Sequence, residues 1–227
     1  MVVDFMRTYI TLPNVRRSKI PEEFKDNDNR FAESLVEYFL EKYTKKGDIV
    51  LDIFAGLGTT LFVSEEMGRI PFGVEYSEVR YIYIKENLQN KDNIIHGDAL
   101  KLLEYNIPKC DFCIASPIYM NEDETENPYA AHTTEGTYEQ YLEDTRKIYS
   151  NVKKKMKQNS KIVIEVSNLK KDGIVTTLAW DIGKEISKIL HFEGEIIVNW
   201  TSNNTEKENG FYGYGYDHSY CLVFSNK

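Results

Sequence analysis

The stretch Leu51-Asp52-Ile53-Phe54-Ala55-Gly56-Leu57-Gly58-Thr59-Thr60 decides the fold. With the preceding Asp48-Ile49-Val50 it makes an apolar, β-branched run up to Phe54, the pattern of a parallel strand buried on both faces. Two glycines then form a turn, and Thr59 onward reads as an amphipathic helix. Strand, glycine turn and helix in that order make a nucleotide-sized ligand site, because the glycines let a ligand approach the backbone closely. The residue types argue against phosphate. A P-loop places a lysine after its last glycine, and Gly58-Thr59-Thr60 has none. A dinucleotide fingerprint carries a third glycine, where Thr60 and Leu61 stand here.

Two acidic positions narrow the ligand. Pro71-Phe72-Gly73-Val74 reads as the next strand, and Glu75 at its end stands about 20 residues after the glycine turn, where a carboxylate accepts ribose hydroxyls. A third strand in Ile94-Ile95-His96-Gly97-Asp98-Ala99-Leu100 brings Asp98 near an adenine amino group. Ribose without phosphate, beside an adenine, points to S-adenosylmethionine as the cofactor. The candidate contacts are Asp52, Phe54, Ala55, Gly56, Gly58, Thr59, Thr60, Glu75, Tyr76, Asp98 and Ala99.

A second stretch, Asp111-Phe112-Cys113-Ile114-Ala115-Ser116-Pro117-Ile118-Tyr119, is a buried strand ending in a polar-Pro-x-aromatic turn. Together with Phe54-Ala55-Gly56-Leu57-Gly58 it resembles the amino-methyltransferases of nucleic acids, whose signature is Asp, Asn or Ser followed by Pro-Pro-Tyr or a close variant. Asn29-Arg30-Phe31-Ala32-Glu33-Ser34-Leu35, Thr137-Tyr138-Glu139-Gln140-Tyr141-Leu142 and His218-Ser219-Tyr220-Cys221-Leu222-Val223-Phe224 extend the likeness along nearly the whole chain. The similarity is to DNA methylases of cytosine N4 or adenine N6, with the Ser form leaning toward cytosine N4. It implies a Rossmann-like class I methyltransferase of the α/β class. Such a fold has a mostly parallel seven-stranded sheet, helices on both faces and a C-terminal antiparallel edge hairpin. It also implies that Ser116, Pro117, Ile118 and Tyr119 form the catalytic turn, that Ser116 borders the cofactor, and that Arg30 or Phe31 lies near its methionine end.

The chemistry explains these residue types. An exocyclic amino group is a poor nucleophile because its lone pair is delocalised into the ring, so a site must draw its hydrogens aside and aim the lone pair at the methyl. Ser116 Oγ and the Pro117 carbonyl are the two acceptors, and Tyr119 stacks on a base flipped out of its helix. Ile118 departs from the pattern: a second proline would fix φ and carry no N–H, whereas isoleucine leaves the backbone looser. Reduced turnover, an altered substrate and loss of catalysis all remain open readings. Ile118→Pro is expected to raise activity if the turn is merely loosened.

A chain of 227 residues with 41% hydrophobic content suits one α/β core. The expected organisation is an irregular arm over 1–28, broken by Pro13 and Pro21, then a single methyltransferase domain over 29–227. No segment is left for a separate target-recognition domain, so specificity must come from loops or a partner. No apolar run is long enough to span a bilayer, and Asp4 and Arg7 interrupt any signal-peptide core, so a cytoplasmic location is expected. Cys110 and Cys113 have zinc half-site spacing, but no second pair completes four ligands. A zinc deaminase is rejected because Pro108 sits one residue too early and His191-Phe192-Glu193 follows the cysteines.

The net charge of −8 is unusual for a nucleic-acid enzyme, since counterion release normally supplies much of the affinity. Arg16, Arg17 and Lys19, then Lys153, Lys154, Lys155 and Lys157, and Lys170-Lys171 could form a basic rim or be plain solvated faces. Weak binding, or help from a partner protein, would reconcile the charge with a nucleic-acid substrate. Residues 120–137, acidic and poor in aliphatics, are expected to form a mobile lid. The run Gly210-Phe211-Tyr212-Gly213-Tyr214-Gly215-Tyr216 is a base-stacking loop or a flexible turn. The function these features favour is methyl transfer to cytosine N4 in DNA. Adenine N6 in DNA, guanine N2 or adenine N6 in RNA, and a catalytically impaired cofactor-binding subunit are the alternatives.

Overall fold

The computed structural model describes residues 7–129, 136–201 and 214–227. In chain order its main elements are β1 (Tyr9–Pro13), α1 (Glu33–Tyr43), β2 (Ile49–Asp52), α2 (Thr59–Glu66), β3 (Ile70–Glu75), α3 (Glu78–Asn87), β4 (Ile94–His96) and β5 (Cys110–Ala115). There follow α4 (Tyr138–Lys155), β6 (Met156–Val166), β7 (Leu169–Lys171), β8 (Ile174–Thr176), α5 (Leu178–Ile186), β9 (His191–Thr201) and β10 (His218–Ser225). One sheet runs β1-β9-β10-β6-β5-β2-β3-β4, and β7 pairs with β8 in a separate hairpin. The pairs from β6 through β4 are parallel, and β10 runs antiparallel to both β6 and β9.

Side chains alternate across the sheet, as the period of two requires. Leu51, Cys113, Ile162, Ile164, Leu222 and Phe224 face α4 and α5, burying Tyr141, Ile148, Tyr149, Leu178 and Ile182. Val50, Phe112, Ile114, Val163, Cys221 and Val223 face α1, whose Leu35, Val36, Phe39 and Leu40 are fully buried. Because both faces are covered, the central strands read as unbroken apolar runs. Gly73 in β3 serves close packing: a Cβ there would lie 2.7 Å from Leu61 Cδ2 of α2.

The class I arrangement expected from the sequence is present, with one addition. The sheet has eight strands, because Tyr9–Pro13 of the supposedly irregular arm pairs parallel with β9, Ile10 opposite Val198. The β9–β10 hairpin is therefore not the sheet edge; β1 is. Pro13 ends this edge strand, where a missing N–H costs no ladder bond, so it does not break the structure as its type suggested. Glu33 ties the arm to α1 by accepting from the Arg17 and Ser18 amides at 3.1 and 2.9 Å. Cys110, Cys113 and Cys221 are buried thiols within the sheet. Among the described residues, no helix is long and apolar enough to cross a membrane.

Candidate active site

Parallel strands deliver their C-terminal ends to one edge of the sheet, and a ligand crevice opens where the strand order reverses, here between β2 and β5. At that edge lies a cavity of about 360 Å³, within the size range of small-molecule sites. Asp52 from β2, Glu75 from β3, Asp98 after β4, Ser116 to Tyr119 after β5, and Glu165 from β6 all line it.

The glycine turn is held from the neighbouring strand. Glu75 Oε2 accepts the Gly56 amide at 2.7 Å and Oε1 accepts the Ser77 amide at 2.8 Å. One carboxylate thus braces two turns while facing the cavity. Gly58 takes φ +82°, a left-handed conformation that suits glycine, and starts α2. Asp52 is buried, and its Oδ1 accepts the Phe54 amide at 3.0 Å. Burial pushes the Asp52 carboxyl up to about 7; the Thr60 hydroxyl and Phe54 amide act in the opposite direction, and the charge of Glu75 adds to the rise. Burial likewise raises Glu75. Asp98 accepts the Leu100 amide at 2.8 Å, which caps the 3₁₀ turn Ala99–Glu104 and fixes the carboxylate at the cavity.

Phe54, Ala55, Gly56, Thr59, Tyr76, Ala99 and Arg30 also reach the cavity wall. Gly58 and Thr60 do not: Gly58 is tucked against Phe62 and Ile84, and Thr60 is fully buried. They shape the turn from behind that wall. The Arg30 fork is committed to Asp28, with Nε to Oδ1 at 2.8 Å and Nη2 to Oδ2 at 3.0 Å. Burial would raise Asp28, but Arg30 and Arg16 hold its carboxyl below the usual range.

The turn after β5 is pinned at several points. Pro117 is buried, while the Ile118 side chain is half exposed and its carbonyl accepts the Tyr141 hydroxyl at 2.9 Å. The Tyr119 hydroxyl accepts the Ser167 amide at 2.9 Å and donates to Glu165 Oε2 at 3.4 Å. Glu165 is a buried carboxyl raised by burial, with Ser219, Ser116 and Tyr119 as opposing hydrogen-bond partners. The sequence reading missed it, although a lone acid inside Ile162-Val163-Ile164-Glu165-Val166 is the signal that would have found it. The Tyr214 ring lies 4.9 Å from that of Tyr119, tilted by 50°. A base sandwiched between them would need roughly 7 Å, two van der Waals contacts, so Tyr214 must withdraw for a base to stack there.

Residues 120–129 of the expected lid are tied down at three points. Met120, Asn127 and Tyr129 are buried, Asn127 Nδ2 donates to Asp144 at 2.8 Å, and the Tyr129 ring stacks between Phe54 and Tyr141. A polar composition hid these anchors because the buried amide is satisfied by a buried carboxylate. Residues 130–135, and Gly210 to Gly213 of the aromatic-glycine run, lie outside the described residues.

The expected basic rim is dispersed. Lys153, Lys154, Lys155 and Lys157 flank the start of β6, at the opposite end of the sheet from the site. Lys155 Nζ donates to the Tyr105 carbonyl and Lys157 pairs with Asp111. Arg16 pairs with Asp28, and Arg17 with Glu37. Lys170 and Lys171, on β7 just beyond the C-terminal end of β6, stand at the site end.

Residues 7–86 match the model of a family described as DNA methylase, which takes in β1 through α3 and ends before the Ser116 turn. A type II methyltransferase, M.MjaII of Methanocaldococcus jannaschii, is 32% identical over 90 residues, 40% of this chain and 17% of that protein. Another, M.BamHI of Bacillus amyloliquefaciens, is 37% identical over 87 residues, 37% of this chain and 20% of that protein. The matched segment therefore spans a fifth or less of these curated relatives. Among solved structures, TrmN from Thermus thermophilus has a TM-score of 0.59 at 12% identity, covering 92% of this chain and 54% of its own. A TehB-like SAM-dependent methyltransferase from Corynebacterium glutamicum has a TM-score of 0.56 at 11% identity, covering 90% and 93%. These likenesses show the class I methyltransferase fold.

Proposed function

We propose that this chain, whose residues 7–86 match the model of a family described as DNA methylase, transfers a methyl group from S-adenosylmethionine to an exocyclic amino group of a DNA base, cytosine N4 foremost. The observation that carries this reading is the meeting of the Ser116-Pro117-Ile118-Tyr119 turn with a carboxylate-lined cavity at the switch point of the sheet. The donor set suits that cofactor. Glu75 is placed for ribose hydroxyls, Asp98 for an adenine amino group, and Asp52 for a cationic ammonium, in a turn without the lysine that phosphate would need.

When bound, S-adenosylmethionine supplies a methyl group on a sulfonium, a strong electrophile. The chain's part is to aim the acceptor nitrogen. Ser116 Oγ and the Pro117 carbonyl take the two N–H bonds of the base, which turns the nitrogen lone pair toward the cofactor cavity. The nitrogen becomes acidic as it gains the methyl, and its proton can pass to Ser116 Oγ and on to the buried Glu165 beside it. A carboxyl raised by burial is better able to hold that proton than an exposed one. Tyr119 offers its ring to the base, with its hydroxyl fixed by Ser167 and Glu165 and Tyr214 as the group that gives way.

We further propose that 29–227 act as one catalytic unit, with the arm 1–28 contributing β1, and that target choice comes from loops at the site end or from a partner. Lys170 and Lys171 support DNA approach from that side. The test is incubation with isotopically labelled cofactor and duplex DNA, single-stranded DNA or cellular RNA, followed by nucleoside mass spectrometry. N4-methylcytosine in DNA, lost in Tyr119→Ala, is the expected result. N6-methyladenine would move the base assignment, label in RNA would move the polymer, and unchanged transfer by Tyr119→Ala would overturn the assigned pocket.

A further inference from the structure

The motif turn lacks the second proline that would stiffen it, and the fold supplies a different restraint at the same residue. Tyr141 is fully buried in the first turn of α4, in a column of rings. It stacks on Tyr129 at 5.0 Å and 8° and on Tyr138 at 5.9 Å and 18°, and Tyr129 stacks on Phe54 of the cofactor turn at 5.6 Å. From this column its hydroxyl donates to the Ile118 carbonyl at 2.9 Å. Thr137 caps α4 by accepting the Gln140 amide, so the tyrosine rises from a fixed helix start.

The geometry points to Tyr141 as a positioning residue that does the work of the missing proline. The acceptor carbonyl of the proposed chemistry belongs to Pro117, and its direction depends on ψ of Pro117 and φ of residue 118. A proline at 118 would restrict both. With Ile118 both are looser, but the peptide plane between them is bounded on each side. On one side Pro117 has a ring-fixed φ and is buried. On the other, the Ile118 carbonyl is held by Tyr141 and the Tyr119 hydroxyl by the Ser167 amide. Pinning the next carbonyl and the next side chain leaves the Pro117 carbonyl little room to rotate. Ile118 can then remain half exposed without loosening the turn beneath it. The same column joins Phe54 to Tyr141, so the cofactor turn and the catalytic turn share one rigid support.

This inference rests on the proposed methyl transfer for its kinetic consequence, and its structural part can be tested without it. Tyr141→Phe keeps the ring in its stack and removes the hydroxyl alone. Hydrogen exchange read by mass spectrometry is expected to quicken about tenfold in the peptide spanning 116–120, the effect of one lost hydrogen bond, while the core strands keep wild-type rates. In the transfer assay, kcat should fall about tenfold with the KM for S-adenosylmethionine within about twofold, the pattern of lost transition-state alignment. Adding Ile118→Pro to Tyr141→Phe should restore kcat to within about threefold of wild type, because proline supplies the restraint by covalent means. Unchanged exchange over 116–120 in Tyr141→Phe overturns the proposal. So does a kcat loss that Ile118→Pro fails to rescue, which would mark Tyr141 as packing alone. Quickened exchange in a protein whose wild type transfers no methyl to any polymer would uphold the restraint and overturn the functional reading instead.

Discussion

Asp52 should make cofactor binding a proton-expelling event. Burial holds its carboxyl near a pKa of about 7 in the protein without cofactor, so at pH 6 about one molecule in eleven is ionised there, and at pH 8 about ten in eleven. A ligand ammonium drawn to the ionised form must displace the proton when it is present. The dissociation constant for S-adenosylhomocysteine, which carries that ammonium, should weaken about tenfold per pH unit below about 7 and level off between about 7 and 8. Titration calorimetry in two buffers of different ionisation enthalpy should find about one proton released per ligand at pH 6 and close to none at pH 8. In Asp52→Asn the slope should vanish, and affinity at pH 8 should drop by about 1.5–3 kcal/mol, the worth of a charge-assisted hydrogen bond. The sign for folding is the opposite of the usual carboxylate. The folded pKa is raised, so the stability of the cofactor-free protein declines as pH climbs from about 4 to about 7, by up to roughly 4 kcal/mol. Asp52→Asn should therefore be the more stable protein at pH 8. A wild-type affinity that is flat from pH 6 to 8, or a slope that survives in Asp52→Asn, would refute the reasoning.

Gly73→Ala should lower stability by about 1–3 kcal/mol, read as a shifted urea midpoint at constant slope, because its methyl would sit 2.7 Å from Leu61 Cδ2. Asp28→Ala removes a carboxylate that pairs with the nearly buried Arg30 and with Arg16, and should cost about 1–3 kcal/mol at neutral pH by thermal melts. Asp28 has a lowered folded pKa, so the wild-type advantage should fade as acid takes that group through it. Equal melting at pH 7 would mean that the Arg30 fork is held by other groups. Tyr119→Phe keeps the ring but loses the hydroxyl that accepts the Ser167 amide, and methyl transfer should drop about tenfold with cofactor affinity unchanged. Loss of cofactor binding in that variant would show that the hydroxyl supports the cavity and not the turn.

The parts of the site legible in the sequence share one physical property. Asp52, Glu75, Asp98 and Ser116 each end an apolar run or stand just after one, and in a parallel sheet every such end reaches the same edge. Glu165 belongs to that group and was passed over because it sits inside its run, one residue before Val166 closes β6. The β7–β8 hairpin went unread, although Asp172-Gly173, which takes positive φ at both positions, is a hairpin-turn signal between its short strands. β1 was not readable: five residues ending in proline gain their strand character from pairing with β9, almost 190 positions away.

By itself the sequence determined the α/β alternation, the glycine turn without phosphate chemistry, and the serine-proline turn, because strand runs, helical periodicity and turn residues are local properties of the chain. The tertiary structure decided what those parts meet. It seated β10 between β6 and β9, sent the lysines of the α4 terminus to the far end of the sheet, closed Tyr214 over Tyr119, and placed the Tyr141 hydroxyl under Ile118. None of these follows from residue type or spacing, since each depends on where a chain segment packed against another dozens of residues away. Long-range packing sets such contacts, and it also determines which carboxyls lose water and carry raised pKa values.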